Sequence, residues 1–287
     1  MSRALKVGGI AVALLGIVGG LAGWAVGFRT VKAGADPLPV DAGDDLYAGW
    51  HALLGRHVSA AGVDYDGLKA DEQALRQFAA TLAVVGPRSR PDLFPTEHDR
   101  LAYYINAYNA LTLLGVIEHH PIDTIHDVRG RIEPAPGFGF FWALRFRLDG
   151  RGTNLYDLEN KVIRPDFDDA RIHAAINCAS GSCPTLQSVA FRPATLDAQL
   201  DAAVQGFVGS DVHVRYDGDV VHLSSIFTWF QGDFEAHARA LGLEPDVLAW
   251  VEHYTLDPAR RESAALARTD GAERRFMDYD WSLNRRP

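Results

Sequence analysis

Residues 96–121 read TEHDRLAYYINAYNALTLLGVIEHHP. Thr96, followed three positions later by Asp99, is a pair of the capping-box type, in which each side chain takes the other residue's backbone N–H. Apolar residues then recur at helical spacing as far as His119, and Pro121, which cannot continue a helix, stops it. The spacing predicts a helix over 97–119. Asn106 and Asn109, three apart, share one face of that helix. Amides on an apolar, aromatic face are costly unless hydrogen-bonded. They fit either an amide wall that donates to a developing oxyanion or a hub that pins an irregular loop.

Working outward, helical periodicity covers 45–58 and 68–84, then 195–208, 226–241, 244–254 and 257–267. Pro245 and Pro258 stand at favoured first-turn positions. Residues 141–149 alternate as a strand turned at Asp149-Gly150, and 154–164 form a short helix capped by Asn154. Val212–Tyr216 and Val220–Leu223 flank Asp217-Gly218-Asp219, a hairpin signal, and 275–283 close the chain as a strand. Without regular βαβ alternation, this is a helix-rich α+β single domain with a small, mainly antiparallel sheet.

The chain has 287 residues and a net charge of −9, a balance that argues against nucleic acid as a partner. After Arg3 and Lys6 it runs uncharged from Gly8 to Phe28, about the length that spans a bilayer. The expected organisation is a cytoplasmic N-terminus (1–7), a transmembrane anchor or signal peptide (8–28), a linker (29–44) and a globular domain (45–287). The inner membrane is then the expected partner, with a single pass and the domain facing the periplasm. If the segment is cut near Ala33-Gly34-Ala35, the protein is secreted or periplasmic instead.

Chemistry concentrates in His173-Ala174-Ala175-Ile176-Asn177-Cys178-Ala179-Ser180-Gly181-Ser182-Cys183-Pro184, which holds the only two cysteines. A thiolate is favoured beside an imidazolium, so Cys178 with His173 is a candidate nucleophile and base. The nearest acidic residue able to orient the base is Glu159; Asp157 is better placed to cap its helix. On a strand, His173 and Cys178 point to opposite faces. On a helix they stand roughly 140° apart. Any pairing therefore needs a bend near Asn177. A Cys178–Cys183 disulfide, a redox pair and simple buried sulfur remain open beside the nucleophile. The spacing matches no standard zinc pattern, and no metal or cofactor is expected. His119-His120 at a helix end fits carbonyl capping.

These blocks, with Val63-Asp64-Tyr65, Leu155-Tyr156-Asp157-Leu158-Glu159, Arg164, Phe227-Thr228-Trp229-Phe230, Asp233-Phe234 and Tyr279-Asp280-Trp281-Ser282-Leu283-Asn284, resemble the Domain of Unknown Function 547 family, in its bacterial exported type. In plant members a serine stands at the position of Cys183, whereas the types of His173, Cys178, Ser180 and Pro184 are kept. The resemblance thus implies that Cys178 is the important sulfur. Thiol chemistry of a papain- or transglutaminase-like kind follows by analogy only. The expected activity is a thiol-dependent hydrolase or acyl transferase acting on a peptide or small molecule. Cys178, His173 and Glu159 would be catalytic, and Asn106, Asn109 and Ser180 would line the site. The rival expectation is a non-catalytic binding or scaffold domain whose His-Cys motif is a structural turn or disulfide.

Overall fold

The computed structural model describes residues 27–286. Its organising element is the helix Glu97–His119, with sixteen of its 23 residues buried. Both halves of the Thr96/Asp99 capping box are formed, and His119 Nδ1 donates to the Gly115 carbonyl at 2.8 Å near the other end. Around this helix pack Ala48–His57, Tyr65–Ala70 and Glu72–Val84, sharing one core with Trp50, Phe78, Tyr103 and Phe140. A second core, with Phe207, Phe227, Phe234 and Trp250, gathers the helices Leu196–Val208, Gln231–Ala240, Val247–Tyr254 and Pro258–Thr269. Each large side chain so enclosed contributes about 1.5–3 kcal/mol of transfer free energy.

The fold is α+β and helix-rich, and its strands form three small pieces. Strand β1 (Arg29–Thr30) lies beside β4 (Leu144–Leu148), reached after the small hairpin β2 (Val58–Ser59) and β3 (Gly62–Val63); β5 (Arg151–Thr153) follows at the Asp149-Gly150 turn. The hairpin of β6 (Val214–Asp217) and β7 (Val220–Leu223) is extended by β8 (Glu273–Phe276). Pairing is antiparallel within the hairpins, but β1 with β4 and β7 with β8 are parallel.

Two helical segments are wider than the sequence predicts. Residues Gly139–Ala143 form a π turn where a strand is expected, and Glu159–Ile163 form another inside the expected helix 154–164. A π turn adds a residue per turn and recurs at functional sites because it re-aims side chains. At Gly139 the reason for glycine is close approach, since a Cβ would lie 2.0 Å from the Val128 carbonyl oxygen.

The expected membrane attachment is corrected. Among the described residues no helix is long and apolar enough to cross a membrane. The segment 8–28 lies outside the described residues except for its last two positions. There Gly27 sits in a turn at φ +73° and Phe28 leads into β1, so no helix runs through them. The anchor as an inner-membrane partner, and the single-pass placement built on it, are not carried forward. The secreted alternative rested on the same segment.

Candidate active site

The segment Ala170–Ala174 is a 3₁₀ turn lying between the two cores. Ala170 and Ala174 pack into the second core, while Ile172, Ala175 and Ile176 pack into the first. His173 is carried at this seam with its side chain 1% exposed, its ring stacked on Phe230 at 4.1 Å. Its Nε2 lies 2.8 Å from Asp233 Oδ2. Asp233 is gripped in turn by Arg164, whose Nε and Nη2 donate to its two oxygens at 2.6 and 2.9 Å. Burial alone would raise the Asp233 carboxyl, but hydrogen bonds from His173 and Arg164 outweigh it and hold the group well below the usual carboxylate range. An ionised carboxylate only accepts, so Nε2 carries the proton and neutral His173 keeps its lone pair on Nδ1. Burial lowers the His173 pKa against the raising effect of Asp233.

The chain bends after His173, around Asn177 and Ala179. Ala179 takes φ +65° and is fully buried. The bend is tied at Asn177: its backbone N–H donates to Asn109 Oδ1 at 2.8 Å, its Oδ1 accepts from Ala179 N at 2.8 Å, and its Nδ2 donates to the Pro184 carbonyl at 2.7 Å. The C-terminal strap 279–286 closes over it. Gly181 N donates to Ser282 O at 2.7 Å, Asn284 N to Ala179 O at 3.1 Å, and Asn284 Nδ2 to Asn177 Oδ1 at 3.1 Å.

Cys178 and Cys183 are joined in a disulfide, their Cα atoms 6.3 Å apart. Two hydroxyls face the sulfurs. Ser180 Oγ lies 2.9 Å and Tyr279 Oη 3.2 Å from Cys178 Sγ, and Tyr279 also donates to Cys183 Sγ at 3.3 Å. Burial pushes the Tyr279 phenol up to about 12, so it stays a donor at neutral pH. Both cysteines and His173 border one cavity of about 350 Å³. No hydrogen bond joins His173 to either sulfur among the described residues.

Glu159 borders the same cavity, aimed there by its π turn. It does not orient His173. Its Oε2 accepts from the Tyr108 hydroxyl at 3.3 Å. Burial pushes its carboxyl up to about 7, against the lowering effects of Arg164 and Tyr108. Asn106 and Asn109 do not border the cavity. Asn106 accepts from Trp50 Nε1 and Phe191 N at 3.0 and 3.1 Å and donates to the Ala102 and Phe191 carbonyls, each at 2.8 Å. Asn109 donates to Ala175 O at 2.9 Å and accepts from Asn177 N. Their place is that of hubs: Asn109 fixes the cysteine loop and Asn106 the segment at Phe191. Asp157 N is capped by Asn154 Oδ1 at 2.6 Å, and the Asp157 side chain pairs with Lys161 at 2.7 Å. No group of three or more His, Cys, Asp or Glu among the described residues is placed to hold a metal ion.

Arg164, Asp233 and Tyr279 belong to the site although no role for them is read from the sequence. The available signal was charge or hydroxyl within otherwise apolar blocks, as in Phe230-Gln231-Gly232-Asp233-Phe234. Nothing local linked Asp233 to His173, 60 positions away.

Fold and site together define a helix-rich α+β domain in which buried His173 is hydrogen-bonded to a half-buried Asp233–Arg164 pair beside a disulfide-bearing, aromatic-walled cavity. Residues 94–208 match the family model described as "Protein of unknown function, DUF547", and this stretch is a domain of that family. It contains His173, both cysteines, Glu159 and Arg164, whereas Asp233 and Tyr279 lie beyond the matched residues. No curated protein and no solved structure matches the chain.

Proposed function

We propose that the protein is a thiol-dependent acyl hydrolase or transferase whose nucleophile, Cys178, is released when the Cys178–Cys183 disulfide is reduced. The observation that carries the reading is the His173–Asp233 pair at 2.8 Å, with His173 and Cys178 bordering the same cavity. With Nε2 committed to Asp233, Nδ1 is the nitrogen left to take a thiol proton. Asp233 fixes the tautomer and stabilises the imidazolium, and Arg164 positions Asp233. Asp233 thus fills the orienting role expected of Glu159.

A dithiol reductant opens the disulfide by attacking Cys183, which also borders a second cleft beside Val58–Val63 and Asp280–Arg285. Cys178 leaves as a thiolate, within reach of the Ser180 and Tyr279 hydroxyls. His173 Nδ1 takes up the proton given up by the attacking reductant thiol, and the reductant's second thiol frees Cys183 as it closes to the reductant's own disulfide. The Cys178 sulfur then bonds to the acyl carbon, the carbon–leaving-group bond breaks, and His173 gives that proton to the leaving group. Water or an amine, deprotonated by His173, takes the acyl group and regenerates the thiolate. Tyr279, held protonated and bordering the cavity, is the hydroxyl offered to the developing oxyanion.

Cys183→Ser leaves Cys178 as the one thiol, and its alkylation by iodoacetamide against pH tests the reading. A midpoint well below the unperturbed value of about 8.5, moved upward by His173→Ala, is the expected result. A midpoint at or above that value removes the nucleophile. The disulfide itself favours a second reading, a binding domain in which the motif is a structural turn. In that case Cys178→Ala lowers the melting temperature and abolishes no chemistry.

A further inference from the structure

We propose that the cavity binds an organic ammonium ion, its apolar body lying against the aromatic lining and its nitrogen on Glu159. As a binding claim this stands apart from the thiol chemistry. As an identification of the amine that receives the acyl group, it rests on that reading.

The first observation is the wall chemistry. Trp142 and Tyr156 meet at a tilt with ring centroids 4.4 Å apart, Tyr279 and Trp281 lie 4.5 Å apart, Trp229 lies 4.8 Å from Tyr279, and all five border the cavity. Aromatic faces attract organic cations through the ring quadrupole, more strongly where water is excluded. Trp142 already carries one cation near its ring, Lys161 Nζ at 6.0 Å, although that lysine is paired with Asp157.

The second observation is the charge inventory. Among the described residues no lysine or arginine borders the cavity, so a carboxylate or phosphate finds no cationic partner in its lining. Arg164 is nearby, but its charge is taken up by Asp233. The acidic group that does border the cavity is Glu159, and only one of its oxygens is used, by Tyr108. Its other oxygen accepts no hydrogen bond among the described residues. A carboxylate with a free oxygen in an aromatic cavity is matched by a donor carrying positive charge. A neutral alcohol would fill the apolar walls equally well but leave the charge uncompensated.

The groups facing Glu159 set the pH dependence. These are the Tyr108 and Tyr279 phenols, the compensated Arg164–Asp233 pair and His173, which burial keeps neutral. Glu159 ionises at about 7, so between pH 6 and 8 its charged fraction, and with it the affinity for an ammonium ion, rises about tenfold.

The test uses the full chain with its disulfide intact, in which no acyl transfer occurs. Quenching of tryptophan fluorescence is titrated with n-hexylammonium chloride, 1-hexanol and sodium hexanoate at pH 6 and 8. Hexylammonium is expected to bind about tenfold more tightly than hexanol at pH 8, the scale of one cation–π and charge pairing, with hexanoate weakest. Its advantage should shrink at pH 6. Glu159→Gln, checked for folding by its melting curve, should lose most of the preference for hexylammonium over hexanol. If that variant does not fold, the wild-type ligand series and its pH dependence decide. Hexanol or hexanoate binding as tightly as hexylammonium at pH 8, or an affinity unchanged between pH 6 and 8, overturns the proposal. So does an unchanged preference in folded Glu159→Gln. Such a result leaves the iodoacetamide test untouched, so the two readings fail separately.

Discussion

Asp233 Oδ2 receives both His173 Nε2, at 2.8 Å, and Arg164 Nε, at 2.6 Å, so one oxygen joins the second core to the seam that carries the cysteine loop. A carboxylate shared by two donors, each from a different segment, is worth more as a join than as an isolated ion pair. Removing its charge leaves the buried His173 N–H and the half-buried Arg164 guanidinium facing an amide that can accept from only one of them well.

Asp233→Asn is therefore expected to lower unfolding free energy at pH 7 by about 2 kcal/mol. That is less than a fully buried pair would lose, because the Asp233 side chain is 30% exposed and partly screened. The acid limb tests the same point. Since the folded pKa of Asp233 is depressed, its contribution is complete above the unfolded value of about 3.9 and is lost as pH falls below it. Urea melts at pH 7 and pH 3 should show the deficit of the variant shrinking at the lower pH. A deficit of equal size at both would mean that the carboxylate charge contributes nothing.

Asn106→Ala separates the hub from an amide wall. It strands Trp50 Nε1 and the Phe191 N–H and carbonyl inside the core. At about 1–3 kcal/mol for each unsatisfied group, a loss of roughly 3 kcal/mol or more is expected. Affinity for hexylammonium, measured at a temperature where the variant is folded, should be unchanged. A weakened affinity with wild-type stability would place the amide in the site instead.

His213 supplies a pH-dependence away from the cavity. It is 5% exposed beside Phe207, with Nδ1 unpartnered, and burial lowers its pKa to about 4. The unfolded chain binds this proton near 6.5, so stability rises with pH across 4 to 6.5. From pH 7 to pH 5 the wild type should lose about 2 kcal/mol through this group. His213→Phe, which keeps the ring packing, should flatten that part of the slope in denaturant melts. An unchanged slope would show that another group is responsible, the buried His173 being the next candidate.

Much of this architecture is local in origin and was legible for that reason. The helix 97–119 is announced by its cap and its stop, and each signal acts within four residues of where it is written. The hairpin at Asp217-Gly218-Asp219 and the cap at Asn154 are of the same kind. The spacing called for a bend near Asn177 only on condition that His173 pairs with Cys178. The turn at Ala179 was not legible, since nothing marks an alanine as left-handed. At a cost of about 1–2 kcal/mol, that conformation persists only because Asn177 and the strap at Asn284 hold both sides of it.

By itself, the sequence determined the fold class and the family to which the stretch 94–208 is matched, because periodicity, caps and motif blocks are properties of neighbouring residues. Only the tertiary structure decided which carboxylate serves His173, that Glu159 looks into an aromatic cavity, and that Asn106 and Asn109 bind backbone. The physical reason is the same in each case. A buried polar group must find its partner wherever packing brings one, and the partners of His173 and Asn106 lie 60 and 85 positions away.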